Sequence, residues 1–150
     1  MRRITLNLLS LVLWAVLLVP AALATESHPI TMNDLPKVAH QFLSMHFAGA
    51  EIISMQQDDD DTFDREYRIT LDNGVQIEFN RHGQWESVRC CTGAVPDAIV
   101  PRQILEFVVE QYPGSHITEI EREKDGYEAR LESGCALEFD TRLMFRKARK

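Results

Sequence analysis

The chain predicts an α+β fold: a tandem repeat in which each copy is one helix followed by about four antiparallel strands, with the helices packed on one face of the sheet. The first ground is self-similarity. Leu35-Pro36, Phe42, Leu43 and Phe47 return as Val100-Pro101, Phe107, Val108 and Tyr112. Tyr67, Leu71, Gly74, Glu78 and Phe79 return as Tyr127, Leu131, Gly134, Glu138 and Phe139 at a shorter spacing, and the residues lost fall in the acidic stretch 58–64. A length change confined to a polar loop is what diverging repeats tolerate. The second ground is an apolar stripe at helical spacing after each of two prolines. The third is strict apolar–polar alternation farther along each copy, the period of a half-buried strand.

The chain opens with Arg2, Arg3 and an apolar run from Ile4 to Val19, closed by Pro20 and Ala22-Leu23-Ala24. This is the layout of a secretory signal peptide, residues 1–24, cleaved after Ala24. The run is shorter than the roughly 20 residues that span a bilayer, so no stable membrane span is expected after cleavage. Residues 25–34 form an N-terminal segment. The first copy, 35–92, begins with a helix. Pro36 suits a first turn, where a missing N–H costs nothing, and Ala39, Phe42, Leu43, His46 and Phe47 share one face before Gly49. A strand is expected over 52–57. Tyr67, Ile69 and Leu71 then alternate with Arg68 and Thr70, and Val75, Ile77 and Phe79 alternate with Gln76 and Glu78. Asn73-Gly74 between these runs signals a two-residue hairpin turn with positive φ at both positions. A strand over 84–89 follows the His82-Gly83 turn.

Residues 93–99, with Pro96, link to the second copy, 100–150. Ile104, Phe107, Val108 and Tyr112 repeat the helical stripe, and Pro113-Gly114 stops it. Strands are expected over 117–122, 127–131, 135–139 and 144–147. The turn glycine of the first copy is missing at Thr141-Arg142, and a basic tail, Arg146 to Lys150, closes the chain as given.

With 150 residues, 45% of them hydrophobic, the chain can bury a core without metal or disulfides. Its net charge is −7, and removing the leader takes away two arginines and no acid. That balance excludes a general nucleic-acid binder, which needs a basic surface. It does not suit a protein held electrostatically on anionic lipid either. The leader points to the bacterial periplasm or to secretion.

The motifs Leu35-Pro36 with Phe42 and Phe47, Tyr67-x-Ile69-x-Leu71-x-x-Gly74, Ile77-Glu78-Phe79-Asn80 and Gly83-x-Trp85 resemble those of the β-lactamase-inhibitor-like, PepSY-like family of exported bacterial proteins. Val100-Pro101, Tyr112-Pro113, Tyr127, Leu131, Gly134 and Leu137-Glu138-Phe139-Asp140 carry the same resemblance in the second copy. It covers residues 33–147 and divides the chain into PepSY-like repeats at 35–92 and 100–150. It implies helix-plus-sheet units and says little about activity. A named relative in that family inhibits an enzyme by laying a concave sheet surface on it.

The polar sheet face is the candidate site. If the apolar sides of the strands are buried, Arg68, Glu78, Arg130 and Glu138 project from the other side of a rigid scaffold, and Trp85 is either an anchor for a partner or a core residue. The expected role is a non-enzymatic protein-binding or inhibitory module whose partner is an exported or periplasmic protein, with no cofactor. The alternative is a small-ligand or Ca²⁺ sensor using the acidic loop, with Asp58, Asp60 and Asp64 as candidate oxygen ligands; the spacing departs from the EF-hand loop, where Phe63 replaces the required glycine. Cys90 or Cys91 pairs with Cys135 if those strand ends meet; pairing between two chains and a reduced, buried Cys135 are the other readings. No nucleophile, metal or phosphate motif is present, so no enzyme activity is expected.

Overall fold

The computed structural model describes residues 26–59 and 65–150. The leader over residues 1–24, and with it the expected cleavage, lies outside the described residues, as do Asp60 and Asp64. Where apolar and polar residues alternate, strands form. Helix α1 (Lys37–His46) is followed by β2 (Ile52–Asp59), β3 (Arg65–Leu71), β4 (Val75–Asn80) and β5 (Trp85–Cys90). Helix α2 (Arg102–Gln111) is followed by β6 (Ile117–Glu123), β7 (Gly126–Leu131), β8 (Ala136–Asp140) and β9 (Phe145–Arg149). A strand with no signature in the sequence, β1 (Glu26–Pro29), precedes them all. Pro36 and Pro101 sit just ahead of the helices rather than inside the first turn. Their carbonyls accept the first helical N–H bonds, from Ala39 and His40 and from Ile104 and Leu105.

The assembly corrects the expected fold class. The chain does not form a tandem repeat of helix-plus-strand units. Among the described residues it forms one nine-stranded antiparallel sheet in the order β1 to β9, with two short α-helices. The reason is the edge. A strand left at a sheet edge exposes a row of unpaired N–H and C=O groups. Here β5 and β6 pair directly, Ser87 with Glu121, Val88 with Ile120 and Arg89 with Glu119, so the interior edges that two separate units would have exposed are closed. β1 pairs with β2 in the same way, Ser27 opposite Asp58 and Pro29 opposite Gln56.

Both helices lie on the apolar face. Phe42 of α1 meets Phe79 edge-on at a centroid distance of 5.5 Å, and Phe107 of α2 meets Phe139 edge-on at 5.4 Å. Ile69, Ile77, Val88, Ile120, Leu137 and Ile104 are sealed from solvent in one continuous core that spans both helices. Burying each phenyl ring stabilises by about 2–3 kcal/mol, and the edge-on pairing adds about 1 kcal/mol.

The turns also depart from expectation. Asn73 is not at positive φ; only Gly74 is, at +80°. Its N–H donates to the Leu71 carbonyl at 3.0 Å, a type I turn closed by a left-handed residue. The same geometry recurs at Asn80–Gly83, Leu131–Gly134 and Asp140–Leu143, with the last N–H donating to the first carbonyl at 2.8, 2.9 and 2.8 Å.

Candidate functional site

Strand register aligns the outward side chains. One row crosses eight strands: Gln56, Arg68, Glu78, Ser87, Glu121, Glu128, Glu138 and Lys147. One step along the strands, Arg89, Glu119, Arg130 and Arg149 share a second row. Both helices lie on the other face, so these charges form the helix-free side of the sheet.

Four of the five residues singled out from sequence are on this face, in two separate groups. Arg68 donates from Nε to Glu78 at 3.0 Å, and its other nitrogen stands 3.1 Å from Asp58. Arg130 donates to Glu119 at 3.0 Å and to Glu128 at 2.7 Å. Arg149 bridges Glu128 and Glu138, and Lys147 reaches Glu138 at 3.2 Å. Arg89 donates from Nε to Glu119 at 2.8 Å. The second group is thus a single ladder from β5 to β9. Its two central carboxylates, Glu119 and Glu128, are each only 6% exposed. Buried carboxylates are tolerable only when paired and hydrogen-bonded, and the arginines meet that need.

Trp85 does not join them. It pairs with Phe79 across a bulge between β4 and β5, and its ring lies 6.4 Å from that of Phe42 on the helix side. The Arg122 guanidinium sits 4.4 Å above the indole. The bulge decides between the two readings of Trp85 in favour of the core, because one extra residue in β5 reverses the facing of everything before it.

Between the two groups the charge is unbalanced. The β5–β6 joint covers only Ser87 to Arg89. Beside it opens a cleft of about 520 Å³, lined by Glu66, Glu86, Glu121 and Glu123 together with Arg81, Arg122 and Lys124. Burial pushes the Glu66 carboxyl above the usual range, helped by Glu78, Glu86 and Asp58. Burial also raises Glu121, helped by Glu119, Glu123 and Glu128. The partner at Arg68 acts in the opposite sense: the hydrogen bond it donates to Glu78 holds its guanidinium more firmly protonated.

The cysteines are free thiols. Cys90 ends β5, whereas Cys135 lies beside Leu131 in the lane of β8. Three strand spacings, about 14 Å, separate those lanes, twice the reach of a disulfide, so the expected pairing of Cys90 or Cys91 with Cys135 is not formed. Of the three acidic-loop candidates only Asp58 is described, and it is engaged by Arg68. Among the described residues no three His, Cys, Asp or Glu side chains converge as a metal site, and no helix is long and apolar enough to cross a membrane.

Sequence reasoning missed Arg89, Glu119 and Arg149 as parts of the face. Arg89 was readable, flanked by the buried Val88 and Cys90. Glu119 was not, because the register shift between Ile117 and Glu119 breaks the two-residue period.

A family model described as beta-lactamase-inhibitor-like, PepSY-like matches residues 23–77 and again 65–147. Among solved structures, the chain is similar to a periplasmic protein of the DUF2874 family from Bacteroides vulgatus, with 33% identity, a TM-score of 0.81, and 85% of this chain and 99% of that one covered. It is similar to a Bacteroides thetaiotaomicron periplasmic protein described as calcium-regulated, at 31% identity and TM-score 0.79, over 83% of this chain and 97% of that one. A second Bacteroides vulgatus periplasmic protein, of unknown function, shares 28% identity and TM-score 0.79, over 83% of this chain and 100% of that one. No curated protein matches the chain significantly.

Proposed function

Because the chain belongs to the beta-lactamase-inhibitor-like, PepSY-like family and is a periplasmic protein, we propose that it is a non-enzymatic module that binds another exported protein through the helix-free face of its sheet. The observation that carries this reading is the row of polar side chains across eight strands, six of them charged, on the face opposite both helices. Side chains held in ion pairs on a rigid sheet are pre-organised, which lowers the ordering cost of association. Arg68, Glu78, Arg130 and Glu138 are the contact residues. Trp85, packed on the opposite face, is not one of them.

The test compares recovery of partners from periplasmic extract by the wild type and by a Glu78→Lys/Glu138→Lys variant whose melting curve shows it folded. Loss of the same partners from the variant is the expected result. Equal recovery removes the face reading.

A second reading is favoured by the relative described as calcium-regulated. In it, Asp58, Asp60 and Asp64 supply oxygen ligands to Ca²⁺, and Asp58 must leave Arg68 to do so. Calorimetry with Ca²⁺ decides it: absence of heat together with an unchanged melting temperature removes the sensor.

A further inference from the structure

Among the described residues the sheet has two edges, β1 and β9. They differ in kind. β9 stands to β8 as β5 stands to β4. Glu138, Leu137 and Ala136 oppose Lys147, Ala148 and Arg149, just as Glu78, Ile77 and Gln76 oppose Ser87, Val88 and Arg89. Both joints carry their irregularity at the same step, after Glu78 and after Glu138. In β5, the side of the strand away from β4 receives β6, with Glu121, Ile120 and Glu119 opposite Ser87, Val88 and Arg89. In β9 the corresponding side receives nothing among the described residues, and all five residues of the strand are exposed.

The side chains along that edge say what fits. Lys147 and Arg149 share the outward face with Glu138 and Glu128, to which they are paired. Ala148 faces the core side, opposite Leu137. An incoming strand therefore meets cations on one face and an apolar position on the other. The internal joint shows the complement: Arg89 takes Glu119, and Val88 takes Ile120. A second copy of β9 is a poor occupant, because it would set Lys147 and Arg149 against their own kind, and like charges directly across strands destabilise the pairing.

We propose that the free edge of β9 is a docking site that accepts, by antiparallel strand addition, an extended partner segment in which acidic residues alternate with an apolar one, acid–apolar–acid opposite Lys147-Ala148-Arg149. Main-chain hydrogen bonds hold such a segment and alternate side chains select it. The site is separate from the sheet face and does not depend on the face reading.

The probe is a blocked synthetic peptide copying Ile117–Glu123, the strand that closes β5, titrated onto the full protein by fluorescence anisotropy and mapped by amide hydrogen exchange. Saturable binding is expected, with new protection confined to residues 145–149. A scrambled peptide of the same composition, and the peptide carrying Ile120→Pro, are each expected to bind about tenfold more weakly or worse. A Glu78→Lys protein is expected to bind the peptide as the wild type does, which separates this site from the face. Absence of binding at about 1 mM peptide overturns the proposal. So does equal binding of the scrambled peptide, or protection that appears on residues 85–90 through exchange with β6 instead of on β9.

Discussion

The half of the sheet under α1 and the half under α2 use the same contacts on the apolar face and different ones on the polar face. Phe42 on Phe79 and Phe107 on Phe139 are nearly superimposable in distance and angle. Asn80 and Asp140 each turn a side-chain oxygen onto two N–H groups of the following loop, His82 and Gln84 in one half, Arg142 and Met144 in the other. On the polar side the first half holds a short chain, Asp58–Arg68–Glu78, and the second a ladder over its four strands that reaches back to Arg89 on β5. Close packing tolerates few alternatives, whereas outward charges need only find some partner, so the two faces follow different rules within one sheet.

The turn between the last two strands of each half offers the largest contrast. Gly83, at φ +77°, lies against α1: an added Cβ would stand 2.7 Å from Cβ of Pro36 and 3.0 Å from the Ala39 nitrogen. Its counterpart is Leu143, at φ +62°, whose side chain packs on the core. Gly83→Ala is expected to lower unfolding free energy by about 3 kcal/mol, from backbone strain and overpacking together. Leu143→Gly, which trades relieved strain for lost packing, is expected to stay within about 1 kcal/mol of the wild type. Urea denaturation measures both, and equal losses would dissolve the contrast.

The ladders come next. Arg130→Met leaves Glu119 and Glu128, both buried, with one cation fewer, and is expected to cost about 2–3 kcal/mol. Arg68→Met removes a cation shared by the half-exposed Glu78 and the more buried Asp58, and is expected to cost about 1 kcal/mol. Comparable losses from the two would show that the second ladder is no more consequential than a surface pair.

The smallest effect lies at the joint between the halves. Glu66 and Glu121 hold their protons more tightly folded than unfolded. A raised folded pKa means that stability grows as pH falls from neutral through that pKa, with the gain complete below the ordinary carboxylate value. Asp34, Asp125 and Asp140 are lowered, by hydrogen bonds from Thr31, from Arg146 and from the Met144 backbone respectively, so their contribution is lost only below about pH 4. The melting temperature is therefore expected to rise on mild acidification and fall in strong acid. A Glu66→Gln/Glu121→Gln variant should lose the rise and keep the fall; a rise that survives in that variant would place its source elsewhere.

Positions of elements were legible where the period held. Ile69, Leu71, Ile77 and Phe79 alternate without interruption, and β3 and β4 form there with those residues sealed inside. The polar face was legible for the same reason at Arg68, Glu78, Arg130 and Glu138. Legibility failed at each register shift: the side of Trp85 stayed open, and Glu119 was hidden behind the irregular step after Ile117. β1 was invisible because its strand state comes from covering β2.

Local pattern therefore settled which segments become helix or strand and which side of most strands is apolar, because burial periodicity is written into neighbouring residues. Three-dimensional assembly alone settled that β5 and β6 join the halves into one sheet, that Cys90 and Cys135 stay apart, and that β9 is an edge strand among the described residues. Those outcomes depend on backbone groups, which every residue carries alike, finding partners far away along the chain.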